Sequence, residues 1–496
     1  MAFENMSALH ATAFLSGVLL HVTVFRFGEW DMHALGIIAG GLLLDFCAAG
    51  VLRYRIAAGP ASFWQALQQT SSALGICIAG IFSSILVYRL AFHRLNRFPG
   101  PFWARISNVY PTTLSFRGSK FQLYKEVQAL HRQYGDIVRL ALHTYEPRVA
   151  EQTAHLVECI DERQGQAMDV NKWFSLYSFE VMTHVGFGQA FGALREGEAP
   201  PLLSASKDFM LYLRVFGHLV WLYPLYTLLL GNLQIRRFFK MISQLVRQRR
   251  ERQCVDLFSW ILSDYETLEK PTLRQTIDLY GDALTVIVAG SQTVSQALTC
   301  LFFELAQHPR VLALLQDEVD ECYATAGGGG EEAGPGAQPL SKLEYLQACI
   351  NETLRLWSAV PSGLPRKTPP QGLDIGGVFI PGDVVVQNPQ YTMFRDERLF
   401  PRPDEFVPER WTTQPDLVAD ITRETSAFVP FSYGRFACAG KGLALQELTV
   451  VTSRIVRRYD VRLAPGSSSA EFTRGVKDFF TLEAPSLHLC FDARKR

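Results

Sequence analysis

Among the residues able to do chemistry, Cys438 stands out by its setting. It lies in the run Phe431-Ser432-Tyr433-Gly434-Arg435-Phe436-Ala437-Cys438-Ala439-Gly440. A helical pattern follows from Lys441 to Tyr459, with Leu443, Leu445, Leu448, Val451 and Ile455 supplying its apolar residues. A sulfur just ahead of a helix meets unpaired N–H groups and the positive helix end, which favour the thiolate, the form that ligates metals. Gly434 permits the torsions of a tight turn, Gly440 lets the backbone approach a flat ring, and Phe431 would screen the sulfur from water. Taken singly these features are common. Other cysteines, among them Cys159, Cys254 and Cys300, sit in apolar surroundings and read as small buried hydrophobes.

Further polar residues fall in a fixed order ahead of this loop. Ala289-Gly290-Ser291-Gln292-Thr293 interrupts a long helical pattern with small and hydroxylated residues. Glu352 and Arg355, three apart, share one helix face. Arg366 and then Phe406-Val407-Pro408-Glu409-Arg410-Trp411 come next. Alone, each has an ordinary reading: a packing site, a surface ion pair, a loop. Together, Phe431, Gly434, Cys438 and Gly440 at the spacing FxxGxRxCxG, preceded by ExxR, resemble the cytochrome P450 family.

The resemblance implies a haem-thiolate monooxygenase with haem b (iron protoporphyrin IX) ligated by Cys438; P450s are the standing example of cysteine-ligated haem. It implies cofactor contacts from Phe431, Gly434, Gly440, Ala289, Gly290 and Arg366, the last meeting a propionate. It assigns Thr293 and Gln292 to oxygen activation, and Glu352, Arg355 and Arg410 to a buried structural ion network. Two positions depart from the pattern. Phe436 replaces the signature arginine, with Arg435 one residue early, where it reads as an exposed turn residue or as a substitute. Gln292 replaces an acid, and an amide hydrogen-bonds without relaying protons as a carboxylate does.

A stretch is also missing. Between Gly135-Asp136-Ile137-Val138-Arg139 and Tyr145-Glu146-Pro147-Arg148 the family carries another strand and several helices, including a WxxxR helix that contacts the propionates. Here a few residues bridge the two, and Trp173 lacks an arginine four positions on. The chain reads as a faulty or alternatively spliced gene model, or as a shortened relative that holds haem weakly.

The elements that must position these residues are mainly α with minor β. Three apolar stretches, Leu9 to Phe25, Leu35 to Leu52 and Ala73 to Phe92, approach membrane-spanning length, with Asp45 and Arg89 inside them. Met1 to His10 lacks Lys and Arg, unlike a cleaved signal peptide. Arg89, Arg94, Arg97 and Arg105 place the chain beyond the third stretch in the cytosol by the positive-inside rule. Phe98-Pro99-Gly100-Pro101 reads as a stiff hinge. Residues 1–97 are thus a membrane anchor with up to three transmembrane helices. Residues 98–496 are the catalytic domain, short of a segment near 140–145.

Within that domain, Phe121 to Tyr134 reads as an amphipathic helix and Ile137 to Leu142 as a strand. The aromatic-rich Phe209 to Leu230, broken by Pro224, is either core or a surface that dips into lipid. Gln275 to His308 is a helix of roughly 50 Å at 1.5 Å per residue. Gly327 to Pro339 is a flexible loop with no phosphate-binding GK[ST]. Leu373 to Asn388 alternates short strands with turns at Gly376-Gly377 and Pro381-Gly382.

Composition narrows the partners. Lys plus Arg and Asp plus Glu both number 48, so no bulk charge draws nucleic acid. The nine cysteines form no CxxC framework, which fits a reducing compartment. No nucleotide or flavin fingerprint is present. The resemblance therefore implies electrons from a separate NADPH-cytochrome P450 reductase, a hydrophobic small-molecule substrate, and the endoplasmic reticulum membrane. The three-span start and Pro408 to Trp411 are similar to filamentous fungal members of secondary metabolism. A reductase-independent haem-thiolate isomerase or dehydratase, and a haem-poor inactive protein, stay open as alternatives.

Overall fold

The computed structural model describes residues 2–25, 34–55, 63–88, 146–216, 233–252, 256–266, 268, 270–325, 335, 337–413, 425–434 and 436–495. The expected hinge at Phe98, the Phe121 to Tyr134 helix, the Ile137 to Leu142 strand, the junction near 140–145, the Gly327-Gly330 run, Arg89, Cys254 and Arg435 lie outside them, as does most of the aromatic stretch before Leu230. The chain divides into two compact units. One comprises residues 1–114, 215–232 and 369–383, the other the remainder.

The first unit begins with α1 (Ala2–Leu20), continued by a π-helical turn at His21–Phe25, then α2 (Ala34–Arg55) and α3 (Phe63–Val87). Gly36–Arg53 and Phe63–Val87 are long and apolar enough to cross a membrane, and Leu9–Phe25 is a shorter apolar helix. Large apolar side chains face outward, with Leu44 72% exposed, an arrangement suited to hydrocarbon and not to water. The third stretch starts at Phe63, ten residues before the expected Ala73. The polar run Gln68-Gln69-Thr70-Ser71-Ser72 masks it in a hydropathy reading.

Thr70, Ser71 and Ser72 of that run make contacts to the neighbouring helices. The Ser71 hydroxyl donates to Asp45 Oδ2 at 2.5 Å, which lowers the cost of a carboxylate in α2, and Ser72 pairs with His10 at 3.2 Å. His21 and Ser84 meet at 2.8 Å, so α1 and α3 run parallel. Glycines set their separation. A Cβ on Gly17 would lie 2.0 Å from the Cys77 carbonyl oxygen, and one on Gly80 would lie 2.3 Å from that of Phe14. Small residues at such a crossing let two backbones touch. The unit also holds the hairpin β3 (Leu373–Ile375) and β4 (Val378–Ile380), turned through Gly376 and Gly377, both at positive φ.

The second unit is mostly helical. Its α4 (Glu146–Asp161), α5 (Val170–Phe187), α6 (Pro201–Phe216), α7 (Leu233–Arg250) and α8 (Leu257–Glu266) lead to α9 (Leu273–Gln307). The Thr272 side chain accepts from the Gln275 N–H and Gln275 answers on the Thr272 N–H, a complete capping box that starts α9 before the expected Gln275. Pro309 opens α10 (Pro309–Thr325). Although α9 is apolar enough to span a membrane, most of it is buried in this unit. It lies against α5, whose residues are nearly all buried, and the Phe174 and Phe302 rings sit 5.3 Å apart in that contact. Then come α11 (Glu344–Leu356) and, after the cysteine loop, α12 (Lys441–Arg458).

Sheet content is small, as expected. β1 (Met168–Asp169), β9 (His488–Ala493) and β6 (Tyr459–Leu463) form one antiparallel sheet, in that order. β2 (Arg366–Lys367) pairs with β5 (Val385–Val386), and β7 (Lys477–Phe479) with β8 (Thr481–Glu483).

Close packing of α1 on α3 is testable by cross-linking His10→Cys to Ser72→Cys in a chain with Cys47 and Cys77 changed to alanine. Gly80→Leu is expected to lower the disulfide yield severalfold; an unchanged yield would show that the glycine contact does not hold the helices together.

Candidate functional site

A fully buried polar cluster in the second unit is built on Glu352 and Arg355 of α11. Both are 0% exposed. Arg355 Nε donates to Glu352 Oε2 and Nη2 to Oε1, each at 2.8 Å. Its remaining donors reach the carbonyl oxygens of Phe394 (2.8 Å), Pro403 (2.7 Å) and Glu405 (3.0 Å), so all five guanidinium N–H groups are used. Arg410 Nε, the Val407 N–H and Trp411 Nε1 complete the carboxylate, each at 3.0 Å. Burial pushes the Arg410 guanidinium down from its ordinary value, and the charge of Glu352 opposes this. The structure brings Glu352, Arg355 and Arg410 together. Trp411 is a further member that sequence reasoning passed over; its place beside Arg410 was the available signal.

This cluster fastens irregular chain that leads to the cysteine. Trp411 and Phe428 rings lie 4.4 Å apart, and Gln390 Nε2 donates to the Val429 carbonyl at 3.1 Å. The loop then turns. Ser432 has φ 59° and Gly434 φ 75°; nothing in the serine's type foretold a left-handed conformation. The Cys438 N–H donates to the Phe431 carbonyl at 3.4 Å, and Gly440 caps α12. Phe431 is half-buried and packs on the core.

Cys438 is exposed, yet burial pushes its thiol up from the ordinary value, with the N–H groups of Gly440 and Lys441 pulling it back down. A Cβ on Gly440 would stand 3.9 Å from the sulfur. Close by, the guanidinium of Arg366 lies over the Phe436 ring, 5.2 Å from its centre. Phe436 itself is 64% exposed. The residue in the signature arginine's place thus stacks on an arginine from another element.

On α9 the motif splits between two faces. Thr285 and Ala289 are exposed, and Thr293, four residues on, is half-buried, on a helix that is mostly buried towards its C-terminal half. The Thr293 hydroxyl donates to the Ala289 carbonyl at 2.7 Å. Gln292 points elsewhere. Its Nε2 donates to Ser206 Oγ at 3.4 Å and its Oε1 accepts from Thr481 Oγ1 at 3.3 Å, all within the buried interior. Gly290 faces α5, where a Cβ would lie 2.3 Å from Met182 Sδ. Ser206 and Thr481, which fix Gln292, carried no signal in the sequence.

An accessible thiol at the head of a helix, held by a buried Glu–Arg core under a long central helix, is the arrangement of a haem-thiolate enzyme. The family model described as Cytochrome P450 matches residues 136–491. "Cytochrome P450 monooxygenase FCK2" of Fusarium pseudograminearum is 40% identical over 98% of each chain, and "Cytochrome P450 monooxygenase phqL" of Penicillium fellutanum is 32% identical over 99% of this chain and 96% of its own. "Tryprostatin B 6-hydroxylase" of Aspergillus fumigatus is 28% identical over 95% of this chain and 94% of its own. The fold matches the crystal structure of a cytochrome P450DA heme domain with a TM-score of 0.58 at 21% identity, over 83% of this chain and 86% of that one. The chain belongs to the cytochrome P450 family and is a monooxygenase of that family, which implies a haem-thiolate cofactor.

Removing one partner of the buried ion network leaves the other charge uncompensated. Glu352→Ala is expected to cost about 3–5 kcal/mol, read by chemical denaturation followed by circular dichroism. A loss below about 1 kcal/mol, the range of exposed pairs, would show that the network is dispensable.

Proposed function

We propose that the protein oxidises a hydrophobic small molecule in fungal secondary metabolism, with Cys438 as the axial ligand of haem b. The observation that carries the reading is the exposed Cys438 sulfur at the start of α12, which meets the N–H groups of Gly440 and Lys441. Bound haem would supply the oxygen chemistry, the insertion of one atom of O2 into an unactivated bond. The second atom leaves as water, with electrons drawn from NADPH through a separate reductase and protons from solvent.

The chain's own residues set the surroundings. The N–H groups of Gly440 and Lys441 stabilise the thiolate, and Phe431 packs at the loop's base. Gly434 supports the reading as the turn that aims Cys438. Arg366, stacked on Phe436, is the guanidinium we assign to a propionate in place of the signature arginine. Ala289 and Thr293 form the open stripe of α9, with the Thr293 hydroxyl able to exchange its helix carbonyl for a ligand. Gln292 serves as a positioning residue, since its amide is committed to Ser206 and Thr481; Gly290 sets how closely α9 approaches α5. The parallel apolar helices support attachment to the endoplasmic reticulum membrane, with the catalytic domain on the cytosolic side.

The alignment with the Fusarium relative spans 551 positions, at least 55 more than the 496 residues here. This supports a stretch missing from the chain as written, which we place near 140–145 on the sequence reading, and with it weak haem retention. The fixed amide of Gln292 favours, as a second reading, a reductase-independent isomerase or dehydratase; turnover that requires NADPH and reductase would sink that alternative.

Absorbance of the reduced, carbon monoxide-bound protein tests the assignment. The thiolate signature is expected at partial occupancy in the parent and is lost in Cys438→Ala. An unchanged spectrum in the variant would overturn the ligand, and full occupancy in the parent would overturn weak retention.

A further inference from the structure

The N-terminal half of α9 keeps one face uncovered. Arg274, Asp278, Asp282, Thr285 and Ala289 are exposed, while Leu279, Ala283 and Ile287, turned away from them, are buried. Steps of four, four, three and four residues follow a single line on a helix of 3.6 residues per turn. Four residues more bring that line to Thr293. Asp282 and Thr293 differ by only about 20° around the axis, and Asp282 stands about 10 Å along it from Ala289. Space is open beside this line, since a Cβ on Gly281 would meet nothing within 4 Å.

One charge on this face is unmatched. Arg274 Nε lies 3.9 Å from Asp278 Oδ2. Asp282 has neither a hydrogen-bond nor an ion-pair partner among the described residues. Partial burial, and then the charge of Asp278, push its carboxyl up from the ordinary value, so its charged form gains from a cation placed beside it. An acid on an uncovered helix face is ordinarily a solvated surface residue. Here the same face carries Ala289 and Thr293, so a molecule that lies along α9 to reach them passes the carboxylate.

We propose that Asp282 is a specificity-determining residue, whose carboxylate pairs with a cationic nitrogen on a hydrophobic substrate oxidised about 10 Å from that nitrogen. The proposal rests on the monooxygenase reading. A hydroxyl or amide could donate to the same oxygens but would leave the charge unbalanced, and an anion would be repelled by both aspartates.

The matched probes 2-naphthylmethyl(trimethyl)ammonium and 2-neopentylnaphthalene differ only in a quaternary nitrogen in place of a quaternary carbon. That nitrogen has no lone pair and cannot ligate iron. Affinities for the full chain in phosphatidylcholine nanodiscs are measured by equilibrium dialysis against empty nanodiscs. Asp282→Asn is expected to weaken binding of the cation about fivefold and to leave the neutral probe unchanged, whereas Asp282→Glu, which keeps the charge, retains both affinities. Unchanged cation binding in Asp282→Asn overturns the proposal, as does an equal loss for the two probes, or a loss in Asp282→Glu as large as in Asp282→Asn. A larger loss in Asp278→Asn than in Asp282→Asn, or no binding of the cation by the parent, overturns it as well. Carbon monoxide spectra of the same samples keep the two claims apart: charge-dependent binding without the thiolate signature upholds Asp282 and removes the monooxygenase reading, and the signature without charge-dependent binding does the reverse.

Discussion

The bidentate contact between Glu352 and Arg355 is the interaction through which the rest of the site is organised. Arg355 donates five hydrogen bonds from one buried guanidinium, two to the carboxylate and three to carbonyls of the chain between Phe394 and Glu405. That chain has no periodicity to fold it; it takes its course by satisfying donors that α11 presents. Arg410 and Trp411 then saturate Glu352 from the far end. The position of the cysteine loop is inherited from this arrangement through Trp411, Phe428 and Gln390.

What could be read from the sequence was what local spacing encodes. Glu352 and Arg355 are three apart on a helix, so their pairing needs no distant partner. α9 announces itself by its periodicity and by Pro309, and the β3–β4 turn by Gly376-Gly377. Tertiary choices were not legible. Gln292 was assigned to oxygen activation because it stands where the family has an acid, but its partners stand 86 and 189 residues away in sequence. The early start of α3 was hidden because its polar residues are satisfied by α1 and α2, which a composition window does not see. Phe436 read as a lost contact; its stacking on Arg366 depends on β2, seventy residues earlier.

Two buried arginines differ in how fully their donors are met. Arg355 has every donor matched, and a fully matched polar group fixes one conformation of its surroundings. Arg214, equally removed from water, has donors left over beside an aspartate whose oxygens are already taken. The first holds a scaffold, and the second leaves donors unmatched, which lowers stability.

The parallel course of α1 and α3, set by Gly17 and Gly80, fixes a sidedness. Helices that run parallel place both of their starts at one end of the bundle and both of their ends at the other. The start of α1 and the end of α3 therefore stand at opposite ends of this helix cluster.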